Sequence, residues 1–414
     1  MTAPPDLSQQ RSFASPLVIA IAGALCLSVA MGIGRFAFTP LLPMMLQDGV
    51  IDLAGGSRLA TANYLGYLLG ALSCMALPLL RRNIGPGFPG TAGLVRIGLL
   101  LTTLLTLAMV PHLPWLWSFL RFLAGYVTGM VFVCASGWCL AQLARLGRAS
   151  LGGIIYTGPG IGITASGLVG SAMAAHGQHS ATAWGVFGLM AAVLTALVWP
   201  VFRGHDAIAA QQPHGALDGK RGSSLGEPTI FVLAYGLAGF GYIITATFLP
   251  VIAREALPGS IWSDYFWPAF GLGVIAGALL TRFVPLSMDR RVLLTASYVV
   301  QALAILLTLA MPTDLGFVAG SLLLGLPFTA ITLFAMQEAR RLRPAQATSL
   351  MGLLTAGYGI GQILGPPLVA LMLQYTASAA AGFALSLEIA AGSLLFGAAL
   401  YGLLWRFFPA EANR

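Results

Sequence analysis

Residues 32–43 read Gly-Ile-Gly-Arg-Phe-Ala-Phe-Thr-Pro-Leu-Leu-Pro, and residues 239–250 read Gly-Phe-Gly-Tyr-Ile-Ile-Thr-Ala-Thr-Phe-Leu-Pro. Gly32, Gly34 and Pro43 fall on Gly239, Gly241 and Pro250 at one constant offset of 207 residues. The same offset carries Gly66 and Gly70 onto Gly273 and Gly277. Five matches in a single register point to an internal repeat of about half the chain. A shorter offset of 199 aligns Ser150, Gly153, Gly158, Gly160 and Gly162 with Ser349, Gly352, Gly357, Gly359 and Gly361.

The residues around these motifs are overwhelmingly apolar. Hydrophobic residues make up 57% of the 414 positions and charged residues only 8%, against roughly 25% charged in a soluble domain. A soluble chain of this size cannot cover its surface with so few charges. Apolar runs long enough for a bilayer core of about 30 Å recur along the sequence. They predict helices over 17–46, 58–79, 91–110, 115–143, 150–175 and 183–202, then over 228–252, 262–284, 291–311, 315–340, 346–374 and 380–407. Helix is the expected form, because backbone polar groups in lipid must be satisfied within the segment. The fold class is therefore an all-α membrane protein of twelve transmembrane helices in two pseudo-symmetric six-helix bundles.

The organisation expected is an N-terminal tail over 1–15, one half over 16–202, a linker over 203–227, a second half over 228–407 and a C-terminal tail over 408–414. The linker is the one long polar stretch, and its Gly, Gln and charge suit a flexible connection. With the N-terminus inside, the inner segments carry seventeen basic residues and the outer ones only Arg58 and Arg254. That bias places both termini in the cytoplasm. Trp115, Trp117, Trp262 and Trp267 fall near outer helix ends, where an aromatic belt is expected. The first apolar run is too long for a signal-peptide core and reads as a retained helix.

The net charge of +8 raises the question of nucleic acid, but the basic residues are scattered between apolar runs in ones, twos and threes. That is the distribution of loop charges at a bilayer, and no nucleic-acid partner is expected. Cys26, Cys74, Cys134 and Cys139 lie inside apolar runs without metal-ligand spacing and read as packing residues. The Gly-x-Gly patterns at 158–162 and 357–361 lie within apolar helices with no strand before them, so no dinucleotide or other cofactor is expected. Small residues there let helices approach and bend.

A parallel repeat of two six-helix halves is the organisation of major facilitator transporters, with the substrate at the interface between halves. The segment 32–43 resembles the first-helix signature of the YbfB/YjiJ-type branch of that superfamily, and Gly359-Ile-Gly-Gln-Ile-Leu-Gly-Pro366 resembles its eleventh helix. Arg121-Phe-Leu-Ala-Gly125 is similar to the superfamily's fourth-helix Arg-x-x-x-Gly pattern, and Gly158-Pro-Gly-Ile-Gly162 loosely to a fifth-helix pattern of exchangers. The loop after the second helix, Pro78-Leu-Leu-Arg-Arg-Asn-Ile-Gly85, lacks the acid usual there. The resemblance implies a secondary transporter in the bacterial inner membrane, monomeric, moving a small molecule by alternating access with a coupling proton or counter-anion. It also implies that helices one, four, seven and ten line a central cavity.

A charge at a helix centre costs several kcal/mol unless it is paired or faces water. Only two basic residues lie well inside the predicted spans, Arg35 and Arg121. Two such bidentate donors in one cavity suit a carboxylate; alternatively each braces helices or caps backbone carbonyls. Arg35 aligns with Tyr242 in the repeat, and Tyr235 lies two turns earlier on the same face. Tyr358 and Gln362, four apart on the eleventh helix, form a polar strip beside the cavity or an interhelical hydrogen bond. These six residues form the candidate substrate site. Gly32, Gly34, Gly125, Gly158, Pro159, Gly160, Gly359 and Gly361 are the candidate packing and conformational positions. Among the acids, Glu388 is the candidate proton site, and Glu338 is expected to pair with the basic residues between Arg340 and Arg343.

No nucleophile, metal cluster or carboxylate pair lies at membrane depth, so the chain does not read as an enzyme. The competing readings are efflux of amphiphilic or aromatic compounds and, from another class, a membrane-embedded enzyme or lipid-handling protein.

Overall fold

A computed structural model describes residues 15–203, 226–285 and 287–408. The expected tails and the linker lie almost wholly outside the described residues. Among the described residues every regular element is helical. Ten helices are long and apolar enough to cross a membrane: α1 (Pro16–Gln47), α2 (Leu53–Ile84), α4 (Pro114–Arg145), α6 (Ser180–Val198), α7 (Gly226–Ala256), α8 (Phe266–Phe283), α9 (Arg290–Ala310), α10 (Asp314–Leu342), α11 (Ser349–Tyr375) and α12 (Ala379–Phe407). Two expected spans are shorter or less apolar, α3 (Thr91–Leu107) and the glycine-rich α5 (Gly158–Ala175). The expected fifth span, 150–175, is broken at Tyr156 and Thr157, so that α5 proper begins at Gly158.

Helix ends follow local chemistry. Asp52 accepts from the Gly55 amide at 2.6 Å and Thr313 from the Gly316 amide at 3.2 Å, capping α2 and α10. Gly177, at φ +64°, closes α5 in the left-handed conformation that an L side chain resists.

The two copies of the repeat pack in the same way. A Cβ on Gly66 or Gly70 of α2 would lie 1.9 Å from a backbone carbonyl of α4, at Phe122 and Tyr126. On α8, a Cβ at Gly273 or Gly277 would lie 2.3 and 1.7 Å from carbonyls of α10, at Leu322 and Leu326. Gly162 of α5 meets α1 at the Ser28 carbonyl, and Gly361 of α11 meets α7 at the Gly236 carbonyl, 2.5 and 2.2 Å from the missing Cβ. Without a hydrophobic drive between helices in lipid, such backbone approach supplies the dispersion contacts that hold a bundle together.

Helices from the two copies also meet. Thr39 donates to the Ala246 carbonyl at 2.8 Å, and these two are counterparts at the 207 offset. α1 and α7 therefore cross at equivalent positions. Gly160 of α5 abuts the Gly271 carbonyl of α8, and Gly359 of α11 abuts Leu68 of α2.

The expected aromatic belt is only partly present. Trp115 and Trp262 are exposed, but Trp117 and Trp267 are buried, the latter stacked on Phe270 with ring centres 5.0 Å apart. Glu338 is fully buried and accepts from Arg341 at 2.6 Å, with Arg291 a further 3.6 Å contact. Arg291 also meets Asp289 at 2.7 Å, joining the start of α9 and the end of α10 in one ion network.

Candidate functional site

The first helix is not a regular α-helix. Ser28–Arg35 winds as a π-helix, the chain breaks at Phe36 and Ala37, and an α-helix resumes at Phe38. Pro40 is the local cause. It offers no N–H, so it removes the donor four residues beyond Phe36 and five beyond Arg35. The Thr39 amide turns back to the Phe36 carbonyl instead, at 3.1 Å. The counterpart of Pro40 in α7 is Thr247, which keeps its N–H, and α7 runs as one α-helix from Gly226 to Ala256.

The break leaves carbonyls facing α4, and Arg121 takes them. Its Nη1 donates to the Gly34 carbonyl at 3.1 Å and its Nη2 to the Arg35 carbonyl at 3.0 Å. Its guanidinium packs beside Phe38 and Trp184, 5.3 and 5.7 Å from the ring centres. The two guanidinium groups thus meet different partners, and that of Arg121 meets the backbone of α1. Arg121 is spent on backbone between α4 and α1, because the π turn presents unpaired acceptors within its reach.

Arg35 points the other way, toward α2, α7 and α11. Its Nη2 donates to Gln362 Oε1 at 2.7 Å, and Gln362 Nε2 donates onward to the Tyr242 hydroxyl through a short hydrogen bond. A guanidinium only donates, so it fixes the amide orientation of Gln362. Arg35 and Tyr242, equivalent in the repeat, are thus bridged across the contact between copies. The Arg35 Cζ lies 3.8 Å from the ring centre of Tyr67 and 5.3 Å from that of Tyr64. Tyr358 stacks on Tyr242 with centres 5.8 Å apart and planes 23° apart, and Tyr235 sits 4.9 Å from Tyr358. The Tyr235 hydroxyl meets Thr332 at 3.2 Å.

Five of the six expected substrate-site residues, Arg35, Tyr235, Tyr242, Tyr358 and Gln362, therefore meet in one cluster, and Arg121 stands apart from it. Tyr64, Tyr67 and Phe328 join the cluster without having been expected. Phe328 of α10 lies 5.2 Å edge-on from Tyr242. The signal for α2 was the pair Tyr64 and Tyr67, three apart beside the packing glycine Gly66, which puts two rings on one side of a helix held tightly to its neighbour.

Electrostatically the cluster is unbalanced. Arg35 is 3% exposed, and among the described residues no carboxylate forms an ion pair with it. Its Nε is buried without a hydrogen-bond partner. A neutral amide and the rings of Tyr67, Tyr64 and Phe36 stand around it instead. Glu388, the candidate proton site, is exposed on α12 among the lipid-facing side chains Leu385, Leu395 and Phe396, away from this cluster.

The packing positions occupy helix contacts. A Cβ on Gly32 would lie 2.3 Å from Gly162 Cα, and one on Gly34 would meet Thr128 and Thr102 at 2.5 and 2.6 Å. One on Gly125 would lie 2.0 Å from the Asn63 carbonyl, and one on Gly158 2.2 Å from the Ala24 carbonyl. Pro159 sits in the first turn of α5, where its missing N–H costs nothing.

A bundle of long apolar helices with this repeat symmetry is the architecture of a multi-pass membrane protein, and the family match makes it a transporter. The chain belongs to a family of the major facilitator superfamily described as uncharacterised MFS-type transporter YbfB, whose profile matches residues 27–401. Its structure is similar to that of the nucleoside transporter NupG. A mutant form of NupG superposes with a TM-score of 0.71 at 14% identity, covering 94% of this chain and 100% of the other. A second NupG structure gives 0.68 at 15% identity, covering 95% and 99%. At that identity the likeness concerns the fold. No curated protein sequence matches the chain.

Proposed function

We propose that this secondary transporter carries a small organic anion, with Arg35 as the residue that binds its carboxylate. The observation behind the reading is the guanidinium itself, nearly fully buried, with an unused Nε and no acid partner among the described residues. A buried charge is retained at such cost only where something compensates it. A carboxylate displacing Gln362 from Arg35 would supply a charge-assisted bond in place of a neutral one. A nucleoside, the substrate class named for NupG, carries no such charge and would leave the guanidinium uncompensated.

The wider arrangement in this reading is twelve crossings in two six-helix halves, 16–202 and 228–407, rocking about the Arg35–Gln362–Tyr242 bridge. Both termini lie in the cytoplasm and the protein sits in the bacterial inner membrane, as the arginine distribution supports. Arg121 serves as a positioning residue for the turn that carries Arg35.

The test is substrate-induced thermal stabilisation and counterflow in proteoliposomes with a panel of carboxylates. Arg35→Lys should weaken binding partly, since lysine keeps the charge and loses the planar fork. Arg35→Gln should abolish it while the unliganded protein melts as wild type. Normal carboxylate binding by Arg35→Gln, or its simple unfolding, would remove the anion assignment.

A further inference from the structure

The rings around Arg35 are not evenly distributed, and their arrangement bears on what the anion's body must be. One face of the guanidinium is covered by Tyr67 at 3.8 Å. Beyond Gln362 comes a run of four rings: Tyr235 against Tyr358, Tyr358 against Tyr242 and Tyr242 against Phe328, at 4.9, 5.8 and 5.2 Å between centres. Of these rings only Tyr67 and Tyr358 keep partial exposure; Tyr64, Tyr235, Tyr242 and Phe328 are buried behind them. The two partly exposed rings thus come from α2 and α11, one from each copy of the repeat. The cation is joined by hydrogen bonds to Gln362 and, through it, to the Tyr242 hydroxyl.

We propose that the substrate is a flat aromatic carboxylate, its carboxylate on Arg35 and its ring against Tyr358 and Tyr67. The proposal rests on the anion reading above and adds the shape and chemistry of the rest of the molecule. A saturated acid of the same size would reach Arg35 equally well, but it presents no π face to either tyrosine. An aromatic ring gains an offset-stacked contact with each, worth about twofold to tenfold in affinity per ring pair. Because the two stacking rings belong to different copies, a bound aromatic ring also ties α2 to α11 beside the Arg35–Gln362–Tyr242 bridge. Binding energy is then sensitive to how the copies sit relative to each other, as alternating access requires.

The experiment compares four probes on the purified full-length protein by titration with a thermal or calorimetric readout: benzoate, 2-naphthoate, cyclohexanecarboxylate and the uncharged benzamide. Wild type should bind 2-naphthoate and benzoate at least about fivefold more tightly than cyclohexanecarboxylate. Tyr358→Leu should narrow that preference, weakening benzoate and 2-naphthoate by about twofold to tenfold more than it weakens cyclohexanecarboxylate. Tyr67→Leu provides the same comparison from the other copy should Tyr358→Leu fail to fold. Equal binding of the aromatic and saturated acids, both lost in Arg35→Gln, would overturn the aromatic assignment and leave the anion reading intact. Benzamide binding as tightly as benzoate, with Arg35→Gln indifferent, would overturn both. No binding of any probe at millimolar concentration would overturn the assignment as well.

Discussion

Replacing Arg121 with lysine separates a backbone clamp from a substrate contact. The guanidinium spans two acceptors at once, 3.1 Å to the Gly34 carbonyl and 3.0 Å to that of Arg35, by using both terminal nitrogens of a rigid fork. An ammonium keeps the charge, so the cost of burying it changes little, but a single nitrogen cannot reproduce the two-pronged geometry. One carbonyl then loses its donor. The Arg35 carbonyl has no replacement within its own helix, since the Thr39 amide is engaged by Phe36 and residue 40 is proline. A hydrogen bond from a charged group to a buried acceptor contributes about 1.5–3 kcal/mol. Arg121→Lys should therefore lower stability by roughly that amount, read as a reduced melting midpoint in detergent without ligand. Transport, corrected for the amount of folded protein, should keep its substrate affinity to within a few-fold. A variant that melts like wild type and instead loses affinity in proportion to its lost fork would show that Arg121 touches substrate, and the clamp would be wrong.

Two further outcomes follow from the packing and the topology. Gly66→Ala places a Cβ 1.9 Å from the Phe122 carbonyl and 2.9 Å from the Tyr126 amide, so α2 and α4 must separate by more than an ångström, a loss of about 1–3 kcal/mol. Gly137→Ala on the same α4 has nothing within 4 Å of its new Cβ and serves as the control; equal melting of the two variants would refute the close-approach role. In a background without native cysteines, His176→Cys, just past the end of α5, should react with an impermeant maleimide added to intact cells. Ser150→Cys, before α5, should be protected, and the reverse pattern would invert the orientation.

Much of the bundle was legible because lipid imposes simple rules on sequence. Run length and hydropathy place the helix centres, and arginine placement implies their direction. The 207 offset already paired Arg35 with Tyr242, and Gln362 of α11 was singled out beside them. Their direct linkage through Gln362 is a matter of side-chain reach, which spacing does not give. Arg121 shows the limit more sharply. Its depth in α4 resembles that of Arg35 in α1, but whether a guanidinium meets a cavity or a carbonyl depends on which acceptors the neighbouring backbone leaves unpaired. The acceptors arise from a π turn, and the sequence signs of that turn are indirect. Glu388 marks a simpler limit: an isolated acid in an apolar span reads as functional, and the spacing alone does not say that its face of α12 carries Leu385 and other exposed apolar side chains.

The asymmetry of the site comes down to one pair of positions in the repeat. Proline at 40 denies the Phe36 carbonyl its usual donor where α1 breaks, and beside that break Arg121 takes the carbonyls of Gly34 and Arg35. Threonine at the equivalent position 247 leaves α7 continuous, and its hydroxyl meets Tyr64 of α2 at 2.8 Å. Two helices with the same glycine framework thus present different chemistry where they cross, a cation on a broken turn facing a tyrosine on an intact one. Because Arg121 satisfies the backbone beneath it, the Arg35 side chain is free of that duty. Its charge is left facing Gln362 and the tyrosines, with its own Nε unused.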